Sequence, residues 1–348
     1  MNSNQMFSKA KVALVFATYL AVLSTSGCAS ISETVTQLIS DPVQTNVLSG
    51  RDGENGPVLV VKIDDTRSAR PQVGLEFADV VYIEQVEGGL TRLAAVFSSS
   101  IPPRIGPVRS ARISDIELLA QYGRVAFAYS GAQQKLLPVI ASANLSDVGA
   151  MRRGPVFYET DLNRIQPYAM FLNAQTLMTN ELNKGTVIDS AKNVGWTFSK
   201  KIENQGFEIT DVTMHWPAQK YSAKWDAATN RWFLSVNSIP DVSDLGKNLG
   251  PTTLVIQLVS ITPSEYGDKF GGNTPFSQTV GTGKGYVLRD STVIAATWNR
   301  PDSLSATTWT DATGAEIKFA PGQVWVALTD KEPDFTRKVA SAPTPTSK

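Results

Sequence analysis

The sequence predicts an α+β protein, with a mixed α/β N-terminal module followed by a mainly antiparallel β C-terminal module. Three observations carry this. Over the first half, apolar strand-like runs are interleaved with helix-period stretches. Over the second half, short alternating runs are separated by turn-rich segments such as Asp226-Ala227-Ala228-Thr229-Asn230. Side-chain usage also changes between the halves. From Ile63 to Asn183 there are ten arginines but one lysine, Lys135, whereas all seven tryptophans lie between Trp196 and Trp325. With the ends discounted, about 290 residues remain, enough for two ordinary cores. We expect residues 1–27 to be a leader, 28–46 a tether, 47–195 the N-terminal module, 205–332 the β-rich module and 333–348 a disordered tail. The modules are expected to fold independently and to join near residues 190–208.

The leader has Lys9 and Lys11, an apolar stretch from Val12 to Leu23, and the small residues Ser24-Thr25-Ser26-Gly27 before Cys28. A membrane-spanning helix needs about 20 apolar residues, so this shorter stretch reads as a signal peptide. Its end reads as a lipoprotein cleavage site, although Thr25 stands where Leu is usual. Cys28 would then be the first mature residue and carry the lipid, a diacylglycerol with palmitate.

Within the N-terminal module, Pro57 to Ile63 is apolar except for Lys62 and ends in Asp64-Asp65, which suits a buried strand. Val80 to Val86 and Leu90 to Phe97 flank Gly88-Gly89 and predict a hairpin with a two-residue turn. Ser114-Asp115-Ile116-Glu117 predicts a capping box opening a helix through Leu118, Leu119 and Tyr122. A strand is expected at Val125 to Tyr129, with helices near Ala132 to Ala143 and Ala174 to Leu182. In the C-terminal module the expected strands are Thr210 to Trp216, Tyr221 to Trp225, Arg231 to Val236, Thr253 to Ile261, Gly285 to Asp290, Ser291 to Trp298 and Val324 to Leu328.

Composition excludes several functions. Lys plus Arg equals Asp plus Glu, 32 each, which leaves no basic excess for nucleic acid. With its one cysteine lipidated, the mature chain has no disulfide, thiol nucleophile or cysteine zinc site. His215, the sole histidine, sits in a strand-like run and reads as structural. Gly281-Thr282-Gly283-Lys284 fails both nucleotide-loop patterns, and Ser130 lacks the glycine that would lead a nucleophile elbow. The tryptophans read as core.

The chemistry concentrates in the N-terminal module. A two-residue turn would set Glu87 opposite Leu90 and Gln85 opposite Arg92, making Glu87 and Arg92 diagonal neighbours. Glu84 would share the other face with Tyr82, Leu93, Ala95 and Phe97, needing either a partner or a hydrated edge. Asp64 and Asp65 follow the first strand, where ligands collect in open α/β sheets, or else form a plain turn. Arg109 and Arg112 precede the helix start. They either hold an anion there or pair internally with Glu84, Glu87 or Asp115. Arg112, nearer the helix, is expected to face ligand, and Arg109 to be structural.

These residues also carry a family resemblance. Lys62-Ile63-Asp64, Ala69-Arg70-Pro71-Gln72-Val73-Gly74-Leu75, Ala78-Asp79-Val80-Val81-Tyr82, Val86-Glu87-Gly88-Gly89-Leu90-Thr91-Arg92 and Ile105-Gly106-Pro107-Val108-Arg109-Ser110-Ala111-Arg112 resemble the YerB-type bacterial lipoproteins. So do Gly281-Thr282-Gly283-Lys284-Gly285, Thr297-Trp298-Asn299-Arg300 and Pro321-Gly322-Gln323-Val324-Trp325 near the C-terminus. The resemblance implies two domains of unknown function 3048 and an envelope lipoprotein, but no activity. Two departures stand out. Arg164 is followed by Pro167-Tyr168-Ala169 where the family tends to show Pro-His-Asn, and Asp65 replaces a common Asn.

The leading expectation is therefore a lipid-anchored protein on the extracytoplasmic side of the cell membrane with a binding or assembly role. It would need no cofactor and would take an anionic envelope ligand or protein partner through Asp64, Asp65, Arg70, Glu84, Glu87, Arg92, Arg109 and Arg112. One alternative is an enzyme acting on phosphate-bearing envelope lipids or glycans, with Asp64 and Asp65 holding Mg²⁺ and Arg92, Arg109 and Arg112 clamping phosphate. The other is a purely structural interaction protein whose charges pair internally.

Overall fold

The computed structural model describes residues 44–267 and 271–338. The leader, Cys28, tether residues 28–43 and the tail from 339 onward lie outside the described residues. The N-terminal half supplies β1 (Leu59–Asp64), β2 (Val80–Gln85), β3 (Thr91–Phe97), β4 (Arg104–Ile105), α1 (Ile113–Ala120), β5 (Val125–Ala128), α2 (Leu137–Ser142), β6 (Leu145–Asp147), α3 (Ala150–Arg153), β7 (Tyr158–Thr160), β8 (Met170–Asn173) and α4 (Ala174–Asn183). The C-terminal half supplies β9 (Phe207–Trp216), β10 (Gln219–Asp226), β11 (Arg231–Val236), β12 (Ile239–Pro240), β13 (Thr253–Leu258), β14 (Ile261–Gly267), β15 (Asn273–Ser277), β16 (Gly281–Arg289), β17 (Thr292–Arg300), β18 (Thr308–Thr310), β19 (Val324–Thr329) and β20 (Asp334–Arg337). The fold is α+β, as the sequence predicts.

One mixed sheet runs through both halves in the order β12-β11-β10-β9-β17-β16-β13-β19-β2-β3-β1-β5-β6. The seam is parallel pairing of β19 with β2, from Val324 opposite Val80 to Ala327 opposite Ile83. The Gln323 side chain donates to the Leu75 and Ala78 carbonyls at 2.9 Å each, fixing where the seam begins. Buried Asp79 accepts from the Ser98 and Ser99 backbone N–H groups, both at 2.8 Å. The segment joining the halves is also fastened down. Val194 and Trp196 are buried, and Phe198 bridges to Phe319.

Strands β1 to β3 are covered on both faces, which explains their near-continuous apolar sequences. Val61, Ile63, Val81, Ile83, Leu93 and Ala95 belong to one apolar cluster, while Val60, Val80, Tyr82, Ala94 and Val96 join Leu118, Leu119 and Tyr122 of α1 in another. On that second face β1 continues from Val60 to Lys62 and Asp64, so the apolar layer gives way to charge beneath the start of α1.

Four local expectations are corrected. The hairpin connection has three residues: Glu87, Gly88 and Gly89 form a helical turn, closed by the Val86 N–H donating to the Leu90 carbonyl at 2.8 Å. Both glycines are at positive φ, 69° and 72°, and a Cβ on Gly89 would lie 2.6 Å from the Pro217 side chain. The extra residue shifts the register by one, so Glu84 pairs with Arg92 and Gln85 with Thr91, moving Arg92 onto the face of Glu84 and Tyr82. Secondly, the cap of α1 is Arg112, whose backbone N–H donates to Asp115 at 2.6 Å. Ser114 and Glu117 instead accept from the backbone N–H groups of Ser277, Thr279 and Val280 across the halves. Thirdly, the tether ends earlier than residue 46, since Asn46 is buried and its amide donates to the Glu54 carbonyl. Finally, Asp334–Arg337, placed in the tail, pairs with β9.

Candidate functional site

The site lies where β1 and β2 end and β3 begins. Lys62 and Asp64 alternate onto one face of β1, and the β1–β3 register sets Asp64 opposite Arg92. Glu84 opposes Arg92 from the other side, on β2. The segment from Gly106 to Arg112 is held over this layer: the Pro107 carbonyl accepts from Asp64 N–H at 2.9 Å, and Arg109 N–H donates to the Lys62 carbonyl at 2.8 Å. It brings Arg109 and Arg112 to the same place.

Most of these charges are paired. Lys62 Nζ lies 2.8 Å from both Glu84 Oε1 and Asp115 Oδ1, all three fully buried. Burial pushes the Glu84 carboxyl up to about 7, with the second carboxylate Asp115 adding to the rise against the pull of Lys62. Arg109 Nε lies 2.8 Å from Asp64 Oδ2, and Asp64 Oδ1 accepts from the Thr66 backbone N–H and hydroxyl at 2.9 and 2.6 Å. Arg112 donates through Nε and Nη2 to Glu87 Oε2 at 2.9 and 2.8 Å, and the Thr274 hydroxyl donates to Oε1. Burial would raise Glu87, but the Arg112 fork outweighs it and holds the carboxyl below its usual range.

Arg92 differs. The residue is 9% exposed, and its side chain donates through Nη1 to the Ser110 carbonyl at 2.9 Å, yet among the described residues it forms no ion pair. Burial, then the like charges of Arg112 and Arg109, push its pKa down to about 9. Its carboxylate neighbours along the sheet are engaged by Lys62 and Arg109. The guanidinium borders a cavity of about 1030 Å³ that also includes Asp64, Glu87, Arg109, Arg112 and Lys135. Apolar walls come from Val86, Leu90, Leu136, Pro167, Tyr168 and Tyr266. Buried, short of hydrogen bonds and open to a cavity, Arg92 is the group with capacity to spare for an anion.

Comparison with known proteins bears on this geometry. Residues 45–187 match the description "Protein of unknown function (DUF3048) N-terminal domain", and residues 211–326 match the corresponding C-terminal domain. The chain belongs to the DUF3048 family. A stretch of 59 residues, 17% of the chain, is 49% identical to the Bacillus subtilis (strain 168) protein named "Putative lipoprotein YerB", of which it spans 18%. The crystal structure of YerB protein from Bacillus subtilis superposes with a TM-score of 0.71 over 84% of this chain and 100% of that one, at 19% identity. That likeness is one of fold.

In this DUF3048 chain, five of the eight residues singled out from sequence border one cavity: Asp64, Glu87, Arg92, Arg109 and Arg112. Glu84 lies beneath them with Lys62. Asp65 and Arg70 sit elsewhere. Asp65 accepts from Arg70, from the Tyr221 hydroxyl at 2.6 Å, from the Gln219 amide at 2.8 Å and from the Thr91 hydroxyl. Arg70 also donates to Asp241 at 3.0 Å. Asp64 and Asp65 therefore do not share one site, because successive residues of an extended chain point to opposite faces. This corrects their pairing around Mg²⁺. Among the described residues no group of three or more His, Cys, Asp or Glu could hold a metal ion. Both Arg109 and Arg112 are ion-paired, with Asp64 and Glu87 respectively, and both border the cavity, Arg109 being the more exposed, so the geometry does not divide them into one structural and one ligand-facing residue. Sequence reasoning missed Lys62, whose signal was a lone charge in an apolar run, and Lys135, the sole lysine of its region.

Proposed function

We propose that this protein is a lipid-anchored, extracytoplasmic member of the cell envelope that binds an anionic group of a ligand or partner in the Arg92 cavity. The observation that carries the reading is the buried Arg92 guanidinium, which among the described residues has no carboxylate partner and borders the cavity beside two further arginines. An entering phosphate or carboxylate would supply the missing counter-charge, and guanidinium forks favour such planar or tetrahedral oxygens. The leader, Cys28 and the name of the Bacillus subtilis relative support the anchor.

Thermal shift with phosphate and sulfate tests the binding role. A ligand at about 100 times its Kd stabilises the folded state by about 2.7 kcal/mol, so a rise in Tm is expected for the wild type and not for Arg92→Met. If neither anion moves the wild-type melt, the charged layer is structural and the binding reading fails. Fatty-acid labelling of the wild type and Cys28→Ala tests the anchor, and equal labelling of both would sink it.

A further inference from the structure

The turn between β7 and β8 presents Leu162 at 93% exposure and Ile165 at 74%. It is firmly braced. Arg164 donates to the Ala69 and Pro71 carbonyls at 2.8 and 2.7 Å, Arg104 donates to Asp161 at 3.0 Å, and Asp161 accepts the Asn163 N–H at 2.9 Å. Asp161 N–H closes the turn on the Ala169 carbonyl at 2.7 Å. A turn built this way could hold its aliphatic chains inward, but it points two branched ones outward. Three residues beyond Ile165, Tyr168 N–H donates back to the Ile165 carbonyl at 2.9 Å, and Tyr168 and Pro167 are part of the cavity wall. The apolar tip and the arginines are thus joined by one short segment, with the Arg109 guanidinium 6.0 Å from the Tyr168 ring.

We infer that this turn is a membrane-contact element, and that the cavity beside it takes the phosphate of a lipid rather than a water-soluble anion. The inference rests on the anion reading above and names its ligand class. A bilayer interface supplies both requirements at once, hydrocarbon for Leu162 and Ile165 and phosphate for the guanidinium groups. The apolar wall from Leu90 to Tyr168 suits the glycerol and first methylenes of such a ligand. Tether length agrees as well. Between Cys28 and Gln44 the chain reaches at most about 3.5 Å per residue, roughly 55 Å in all, which keeps the folded part within reach of the bilayer that holds its anchor.

The test uses the mature chain from residue 28 carrying Cys28→Ala, sedimented with vesicles of phosphatidylcholine alone or mixed with phosphatidic acid. Inorganic phosphate is titrated in parallel. We expect at least about tenfold stronger binding to the phosphatidic acid vesicles, lost about tenfold or more in Leu162→Ser/Ile165→Ser. That double variant should melt like the wild type and bind inorganic phosphate unchanged, while Arg92→Met should lose the preference for phosphatidic acid. Binding of phosphate without binding of vesicles, or full vesicle binding by the double variant, overturns the lipid inference and leaves the cavity reading intact. Binding of neither overturns both. A wild-type dimer that the double variant converts to monomer would make the turn a self-association surface, and also overturns the inference.

Discussion

Asp64 and Asp65 are consecutive, yet they open onto two charged clusters of opposite character. Asp65 enters a closed cluster in which Arg70, Tyr221, Gln219 and Thr91 supply its donors and Asp241 shares Arg70. Asp64 enters an open one, where Arg109 is its partner, a cavity lies alongside and Arg92 has no acid partner among the described residues. The closed cluster draws on both halves of the chain and the open one mostly on the first. Burial alone does not separate them, since Asp64, Asp65 and Arg92 are all buried. What differs is whether each charge has found its counter-charge inside the protein.

The contrast can be broken at several strengths. The largest effect is expected from dividing the chain. Residues 44–203 alone lack β19 beside β2 and Tyr221, Gln219 and Asp241 beside Asp65 and Arg70, so the fragment should show no cooperative melt by circular dichroism. Next is Arg70→Ala, which strands two buried carboxylates and should lower stability by about 3–5 kcal/mol, measured by urea unfolding. A loss below about 1 kcal/mol would mean that the cluster is hydrated and not closed.

The pH profile separates the clusters by their acids. Burial raises Glu84 to about 7 and Asp241 to about 6, each above its unfolded value of 4.5 or 3.8. Between those limits the folded state holds a proton that the unfolded chain has released, so stability falls as pH rises, by at most about 1.4 kcal/mol per pH unit for each group. In Glu84→Gln the fall between about pH 6 and 7 should vanish, and the slope left below about 6 belongs mainly to the closed cluster, where burial raises both Asp241 and Asp65, with Glu76 adding to it. The smallest change in stability is expected from Arg92→Met. It removes a desolvated cation without stranding an acid, so unfolding should shift by no more than about 1 kcal/mol. A loss like that of Arg70→Ala would erase the distinction between the clusters.

Much of this architecture was legible before any coordinates. The apolar runs located β1, β3, β5 and β19, and the arginine-rich stretch from Val86 to Arg112 located the cavity. The hairpin register was not legible, because one residue in the Glu87–Gly89 turn decides which face Arg92 occupies, and glycine pairs suit turns of either length. Nor were the partners of the closed cluster. Tyr221 and Asp241 lie 156 and 171 positions from the groups they contact, and no local pattern encodes a meeting at that distance. β20 escaped notice because Asp334–Arg337 is polar and pairs at an edge, leaving no apolar alternation to read.

The parallel seam between β2 and β19 also sets an order of events during synthesis. Val80–Gln85 is complete early, but its partner Val324–Thr329 is among the last strands made. At about 5–20 residues per second of translation, the edge of β2 stays bare for tens of seconds. An open apolar strand edge is a template for wrong pairing. Until Val324–Thr329 is made, the β2 edge would be open to such pairing unless the first half stays unfolded or covered.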